Sequence, residues 1–280
     1  GRLPVDWDRN RRACRDYPDP MRVACCGLTT LDVIQQVDAL PGPDQKVQAH
    51  SALIEFGGPA ANAAFTAVAL DCSARLISAV GHGPIGSVVT AQLANAGIEL
   101  IDMAMPGWEV PISSVAVVGE HRSVISVNAG EAPSMPLPDA ALDGCAALLV
   151  DGHHLDVCIA AARQARGAGI PVLLDGGSWK PGLENLLPFV DYAIVSADFH
   201  GQLTGPVAVS RGSLPVLLGD VEIPVPPVAV VDTVGAGDVL HGAALVALAR
   251  GASFEEALRV AIPIASRSCS HPGAHAWAHV

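Results

Sequence analysis

The sequence predicts an α/β fold: a mostly parallel central sheet with helices on both faces, plus a few strands outside that sheet. Three observations predict it. Hydrophobic residues make up 50% of the 280 positions but aromatics only 4%, so the apolar content is chiefly Ala, Val and Leu, the residues of helices packed on a buried sheet. Short apolar runs of strand length alternate with segments of helical spacing along most of the chain, the pattern of right-handed βαβ crossovers. Those runs end in Gly, Asp or Ser, and ligands bind such sheets at the carboxyl ends of the strands.

The elements follow in order. The first twenty residues, GRLPVDWDRNRRACRDYPDP, have neither the apolar core of a signal peptide nor any periodicity, and they read as a leader or disordered arm with Met21 as the expected natural start. From there RVACCGL reads as a strand, followed by DVIQQVDAL, a Pro-Gly-Pro turn, the alternating KVQAHSALIEF, and GGPAANAAFTAVALDC with helical spacing. ARLISAV, AALLVDG, IPVLLDGG, DYAIVSA, PVAVSRG and PVAVVDT are further strands, most of them separated by helices such as GSVVTAQLANAG and DVCIAAARQARGAG. Two regions break the rhythm: residues 32 to 56, and SSVAVVGEHRSVISVNAG at 113 to 130, a hairpin about GEHR. Their strands, within about 32–56 and 112–128, are expected to form a small β lid on a single domain spanning residues 21–280. The chain carries no linker, internal repeat or composition shift that would divide it.

Composition excludes several classes. Net charge is −12 and the 16 Lys and Arg residues are scattered, so no basic stripe is available for nucleic acid. Asp, His, Gly or Pro interrupts every long apolar run, which argues against a membrane span. The seven cysteines (Cys14, Cys25, Cys26, Cys72, Cys145, Cys158, Cys269) include no C-x-x-C pair. They read as buried thiols of a reducing compartment, and the protein as cytoplasmic.

The motif richest in chemistry is DTVGAGD, residues 232 to 238. Gly235, Ala236 and Gly237 carry almost no side-chain bulk, so their amides can face a ligand at the start of a helix beginning near Asp238; such a terminus attracts anions, above all phosphate. The plainer alternative is a left-handed turn whose Asp238 only caps the helix. A carboxylate beside an anion site is unfavourable unless it works there, and Asp238 could take the proton of an acceptor hydroxyl as its oxygen attacks a bound phosphorus. The chain has no G-x-x-x-x-G-K-[ST] and no G-x-G-x-x-G after an early strand, which disfavours a Walker ATPase and a dinucleotide-dependent dehydrogenase.

DTVGAGD with its small-residue helix resembles the carboxyl-terminal signature of the ribokinase/PfkB family of sugar and nucleoside kinases. GGPAANAA at 57 to 64 resembles that family's Gly-Gly and Asn segment, and CGLTTLD its first strand with a substrate-binding aspartate. The resemblance spans residues 22 to 275 and implies a ribokinase-like fold. It implies Asp238 as catalytic base, Gly235, Ala236 and Gly237 as the anion hole, and Asp32, Gly57, Gly58 and Asn62 as sugar contacts. On the donor side it implies ATP, accompanied by Mg²⁺ held mainly through nucleotide phosphates and water, with Asp232, Thr233, Ser210, Gly212 and Gly273 near the nucleotide. The plain readings are a strand-end carboxylate for Asp32, a locally bonded helix residue for Asn62, and simple turns for Ser210, Gly212 and Gly273.

The chain departs from the family pattern at several positions. SADF, with Ser196 and Phe199, stands where ribokinase-type enzymes have an Asn-x-x-Glu stretch that organises Mg²⁺. Pro59 replaces a lysine of ribokinase, and His241 an asparagine of many relatives, which resembles the ketohexokinase and sulfofructose kinase branch more than ribokinase itself. Only HGQLTGP separates SADF from VAVSRG, where the family places a helix. His153 and His154 follow a strand and could contact substrate but read first as a surface pair, Lys180 beside Asp175 could touch a phosphate but reads first as a solvated lysine, and His271, His275 and His279 lack the carboxylate and chain geometry of a zinc site. The expected substrate is a sugar or sugar-like alcohol. A nucleoside kinase, with Trp108 at the lid edge as the candidate stacking residue, and a non-catalytic sugar or nucleotide sensor are the alternatives. A homodimer through the lid edges is expected from strands otherwise left unpaired.

Overall fold

Along the first strand, Val23 and Cys25 face one apolar core while Ala24 and Cys26 face another, all fully buried. That two-sided burial defines an internal parallel strand. The protein is seen in a computed structural model that describes residues 21–119, 121–127 and 135–279. The expected leader with Cys14, Glu120 of the GEHR turn, residues 128 to 130 of the expected hairpin and the His279 side chain lie outside the described residues.

The larger sheet has the order β13-β12-β11-β10-β9-β8-β1-β4-β5. Its members are β1 (Arg22–Cys26), β4 (Ser73–Ser78), β5 (Ile98–Asp102), β8 (Cys145–Val150), β9 (Val172–Gly176), β10 (Tyr192–Ser196), β11 (Val207–Arg211), β12 (Leu214–Leu218) and β13 (Val221–Ile223). From β5 to β11 all neighbours are parallel, whereas β12 and β13 close the far edge as antiparallel strands. Against one face pack α1 (Pro59–Ala69), α2 (Pro84–Asn95), α4 (Ala236–Ala249) and α5 (Phe254–Ser268); against the other packs α3 (Leu155–Ala168). Helix α5 opens with a capping box in which the Ser253 side chain accepts from the Glu256 amide and the Glu256 carboxylate accepts from the Ser253 amide, satisfying donors that a helix start leaves free.

The smaller sheet has the order β3-β2-β6-β7, built from β2 (Thr30–Gln36), β3 (Ser51–Gly57), β6 (Ile112–Val118) and β7 (His121–Ser126). These are the strands expected outside the main sheet. In β2 and β3, Asp32 stands directly opposite Glu55, so two carboxylates share one face.

Two local expectations are corrected. PVAVVDT is not a strand: residues 224 to 230 belong to no sheet, because Pro226 and Pro227 have no N–H to give a ladder, and the amides of Val231 and Asp232 are both taken by the Cys269 carbonyl at 2.7 and 3.1 Å. The following helix starts at Ala236 rather than near Asp238, with Gly235 as its left-handed N-cap at φ 72°. Residues 197 to 206 join β10 directly to β11 without a helix; Phe199 and Leu203 pack onto the face of the sheet that α3 shares.

Two glycines set the approach of the functional helices. Gly58, the N-cap of α1, has φ 93°, and a Cβ there would lie 2.5 Å from the Leu28 carbonyl oxygen; Pro59 then fits the first helical position, where no N–H is needed. On α4, a Cβ at Gly242 would lie 2.6 Å from the Ala63 carbonyl oxygen and 2.7 Å from Thr66 Cβ, so α1 and α4 meet backbone to backbone. Asn62 and Thr66 share a face of α1, as Asp238 and Gly242 do on α4. The close approach at Gly242 therefore brings Asn62 to Asp238 one turn away. No helix among the described residues is long and apolar enough to cross a membrane.

Candidate active site

The Asn62 amide Nδ2 donates to Asp238 Oδ2 at 2.7 Å, joining two motifs that lie far apart in sequence. Asp238 occupies the first turn of α4, so its carboxylate sits over the carboxyl edge of the main sheet. Asp175, at the end of β9, and Asp151, just after β8, are its acidic neighbours and are themselves buried. Burial first, and the Asp175 carboxylate second, push the Asp238 pKa up to about 7, against the lowering effect of the Asn62 hydrogen bond. A carboxyl tuned to that range can exchange a proton near neutral pH.

The other partners of these carboxylates are local. Asp151 accepts from the amides of Leu28 and His153, each at 2.8 Å. His241 Nδ1 lies 3.3 Å from Asp175 Oδ2 and 2.7 Å from the Gly237 carbonyl oxygen, and its Nε2 lies 3.0 Å from the Ile194 carbonyl oxygen. His241 thereby ties α4 to the end of β9 and the middle of β10. Burial raises the pKa of Asp175 as well.

The loop before α4 is braced from behind. Asp232 Oδ1 accepts from the Val234 amide and Oδ2 from the Gly273 amide, both at 2.9 Å. The Ala236 amide turns to the Thr233 carbonyl at 3.3 Å, and Val239 begins the regular helical bonds to Gly235. The amides of Gly235, Gly237 and Asp238 engage no backbone acceptor among the described residues, which leaves donors at the positive end of the helix dipole. A cavity of about 600 Å³ opens in front of this turn, lined by Thr233, Ala236, Gly237, Ser210 and Gly212 and walled by apolar residues including Leu240 and Ile262. The Ser210 hydroxyl is already given to the Val195 carbonyl at 3.1 Å. Asp232 and Gly273 stand behind the loop instead of on the cavity wall.

The smaller sheet carries Asp32, opposite Glu55. Thr30 Oγ1 donates to Asp32 Oδ1 at 2.6 Å, and burial raises the Asp32 pKa while the Thr30 and Ser113 hydroxyls oppose that rise. A Cβ at Gly57 would lie 2.1 Å from Asp32 Oδ2, so the paired glycines leave room for this carboxylate and for the turn into α1. Asn62 thus lies against Asp238 and beside the Gly235 turn, Gly57 lies against Asp32, and Thr233, Ser210 and Gly212 border the cavity.

Several residues differ from the sequence reading. His153 and His154 are not a surface pair: the His153 side chain is 21% exposed, and burial pulls its pKa down and that of His154 to about 4. The His154 ring nitrogens are shielded from solvent without a partner among the described residues. Lys180 folds back toward the Asp151 and Ser178 carbonyls, each 3.4 Å away. The Trp108 indole donates to the Ala79 carbonyl at 3.1 Å and meets the His154 ring edge-on. His275 is buried between Phe56 and Phe65, and His271 Nδ1 lies 3.3 Å from the Arg267 carbonyl oxygen. Sequence reasoning missed Asp151 and Glu55, whose only signals were a strand-end position and the register opposite Asp32.

The fold has a ribokinase-like architecture, and the family match makes the protein a small-molecule kinase. The chain belongs to the pfkB family of carbohydrate kinases, whose profile matches residues 21–206 and 196–278. Similar proteins include a ribokinase of Arabidopsis thaliana, 26% identical over 306 residues of alignment covering 95% of this chain and 80% of that one. A ketohexokinase of Mus musculus is 22% identical over 292, covering 90% and 97%. The structure of Arabidopsis thaliana ribokinase complexed with ribose and ATP matches with a TM-score of 0.74 at 21% identity, covering 92% of this chain and 95% of that one.

Proposed function

We propose that this protein is an ATP-dependent phosphotransferase that moves the γ-phosphate to a hydroxymethyl group of a sugar or sugar-like alcohol, and that it acts in the cytoplasm. The observation that carries this reading is the Asp238 carboxylate, with its pKa near 7, bonded to Asn62 in the first turn of the helix whose Ala236 and Gly237 line the cavity. Asp32 and the glycine turn at 57 and 58 bind the acceptor, the Asp32 carboxylate accepting from neighbouring hydroxyls, while Asn62 borders the acceptor through its hold on Asp238. Asp238 takes the hydroxyl proton as the new O–P bond forms and the bond from the γ-phosphorus to the bridging oxygen breaks, releasing ADP. The amides of Gly235, Gly237 and Asp238, with Ala236 shaping the turn, stabilise the transferring group. Thr233, Ser210 and Gly212 border the nucleotide, and Asp232 with Gly273 fixes the loop.

The residues present do not form a protein cage for Mg²⁺. Ser196 gives its hydroxyl to the Gly177 carbonyl at 2.9 Å, Phe199 packs into the core, and no group of three His, Cys, Asp or Glu side chains among the described residues is arranged for a metal. Mg²⁺ would enter on nucleotide phosphates and water.

The test is a screen of phosphoryl acceptors with ATP and mass detection of the product, alongside thermal shifts with ribose, fructose and adenosine. A phosphorylated sugar and a raised melting temperature with that sugar are expected, because a ligand that binds only the folded state stabilises it. Phosphorylation of adenosine in preference to every sugar would establish a nucleoside kinase, and ATP binding without transfer to any acceptor would establish a sensor.

We also propose that the smaller sheet packs against a second copy. Its outward residues include Ile54 at 53% and Ile125 at 79% exposure, an apolar surface that a monomer would leave in water. Light scattering at micromolar concentration should give the mass of a dimer, and Ile125→Lys the mass of a monomer.

A further inference from the structure

The Asn62 amide is 4% exposed, so water does not set its orientation, and its two ends are not equivalent. Nδ2 meets Asp238 Oδ2 at 2.7 Å, while Oδ1 meets His275 Nε2 at 2.9 Å. The opposite rotamer would point the amide oxygen at a carboxylate. An N–H on His275 Nε2 would select the observed one, since that nitrogen could then only donate. The His275 ring is in turn held in place. Its centroid lies 4.4 Å from the Phe56 ring and 4.2 Å from the Phe65 ring, and its Nδ1 faces Glu55 Oε2 at 3.2 Å. Glu55 Oε1 lies 3.4 Å from the Ala274 amide, and Glu55 stands opposite Asp32 across β2 and β3. A single line of contacts therefore runs from the smaller sheet through the carboxyl-terminal segment and α1 to the first turn of α4.

We propose that His275, fixed by Glu55, is a positioning residue that locks the Asn62 amide with its N–H toward Asp238 and so keeps the base ionised and aimed. This rests on the reading of Asp238 as the base, but the lock itself is a statement about three side chains and the carboxyl they serve. A charge-assisted hydrogen bond favours the ionised carboxylate, and the Asn62 bond is the leading influence that lowers the Asp238 pKa against burial and the Asp175 charge. The other groups facing Asp238 are His241 on its own helix and Asp151 beyond β8; those facing His275 are Glu55 on β3 and Asp32 on β2. Freed of His275, the Asn62 amide samples both rotamers and its donor leaves Asp238 for part of the time.

His275→Phe tests this, because phenylalanine retains a stacked ring between Phe56 and Phe65 and lacks both nitrogens. The titration of the Asp238 carboxyl, followed by carbon NMR with Asp238→Asn to assign the signal, requires no substrate. Its midpoint should rise by roughly one pH unit in His275→Phe, which corresponds to about a tenfold change in the proton equilibrium, and should return toward wild type in His275→Gln, whose amide can donate to Asn62 Oδ1. Glu55→Gln, which leaves the stacked ring intact, should shift the midpoint in the same direction by less. In turnover assays the acid limb of the pH profile should move with the midpoint, while KM for ATP stays within about twofold. An unchanged midpoint in both His275→Phe and Glu55→Gln overturns the lock, whether or not an acceptor is phosphorylated. A wild-type enzyme that phosphorylates nothing while the midpoint still shifts overturns the base assignment and leaves the lock standing.

Discussion

Asp238→Asn should lower kcat/KM by roughly 10³-fold, within the range that a positioned general base contributes, while raising the melting temperature at pH 8. The loss follows because asparagine keeps the shape and the Asn62 contact but cannot accept the acceptor's proton. The gain follows from linkage. The folded-state pKa of Asp238 is raised from 3.8 to about 7, so in the folded protein the protonated form is favoured relative to the unfolded chain. Stability associated with this group is fully present below about pH 4 and is lost as pH rises toward 7, where the buried carboxylate must ionise beside Asp175. Asparagine carries no such charge. The difference in melting temperature between variant and wild type should therefore be small at pH 4, widen up to about pH 7 and then level off. Full turnover in the variant sinks the base assignment, and a difference that narrows with rising pH sinks the electrostatic account. A residue that destabilises the fold at working pH is one that folding alone does not explain.

The two chemical motifs were legible in the sequence because their constraints are local. GGPAAN requires small residues at Gly57, next to the Asp32 carboxylate, and at Gly58, whose φ is 93°. DTVGAGD requires a left-handed turn, and Gly235 supplies it. The alternation of strands and helices was equally plain, since βαβ crossovers impose it on every segment. The supports behind those motifs were not legible, because they depend on tertiary register. Glu55 is one polar residue in an alternating strand until the pairing of β2 with β3 sets it opposite Asp32. His275 sits in a tail with other histidines, and only the folding of that tail between Phe56 and Phe65 turns it toward Asn62. The residues before DTVGAGD misled in the other direction: their apolar content imitates a strand, but two prolines and the Cys269 carbonyl keep them out of the sheet.

The two glycines of the loop should separate in their response to the same added methyl group. Gly237 lies within α4, and a Cβ built there meets nothing within 4 Å; alanine in place of glycine in a helix is worth roughly 0.5–1 kcal/mol. Gly237→Ala should therefore melt at the same or a higher temperature and, because its amide is retained, lose less turnover than Gly235→Ala. Gly235 is different. Its φ of 72° is left-handed, and a Cβ would lie 2.7 Å from Ala274 Cβ and 3.8 Å from Asn62 Nδ2. The left-handed conformation costs a non-glycine residue about 1–2 kcal/mol, and the clash requires the turn or the segment around Ala274 to move. That segment holds Gly273 against Asp232 and His275 against Asn62, so its movement displaces the loop amides and the amide that steadies Asp238 together. A displacement of about 1 Å at reacting groups can cost roughly 10²-fold in rate. Gly235→Ala should accordingly lose about that factor in kcat while its melting temperature falls by only a few degrees. The measurement is kcat beside melting temperature for the two variants. Equal loss of activity in both would mean that bulk in the loop, not the position of its amides, limits transfer.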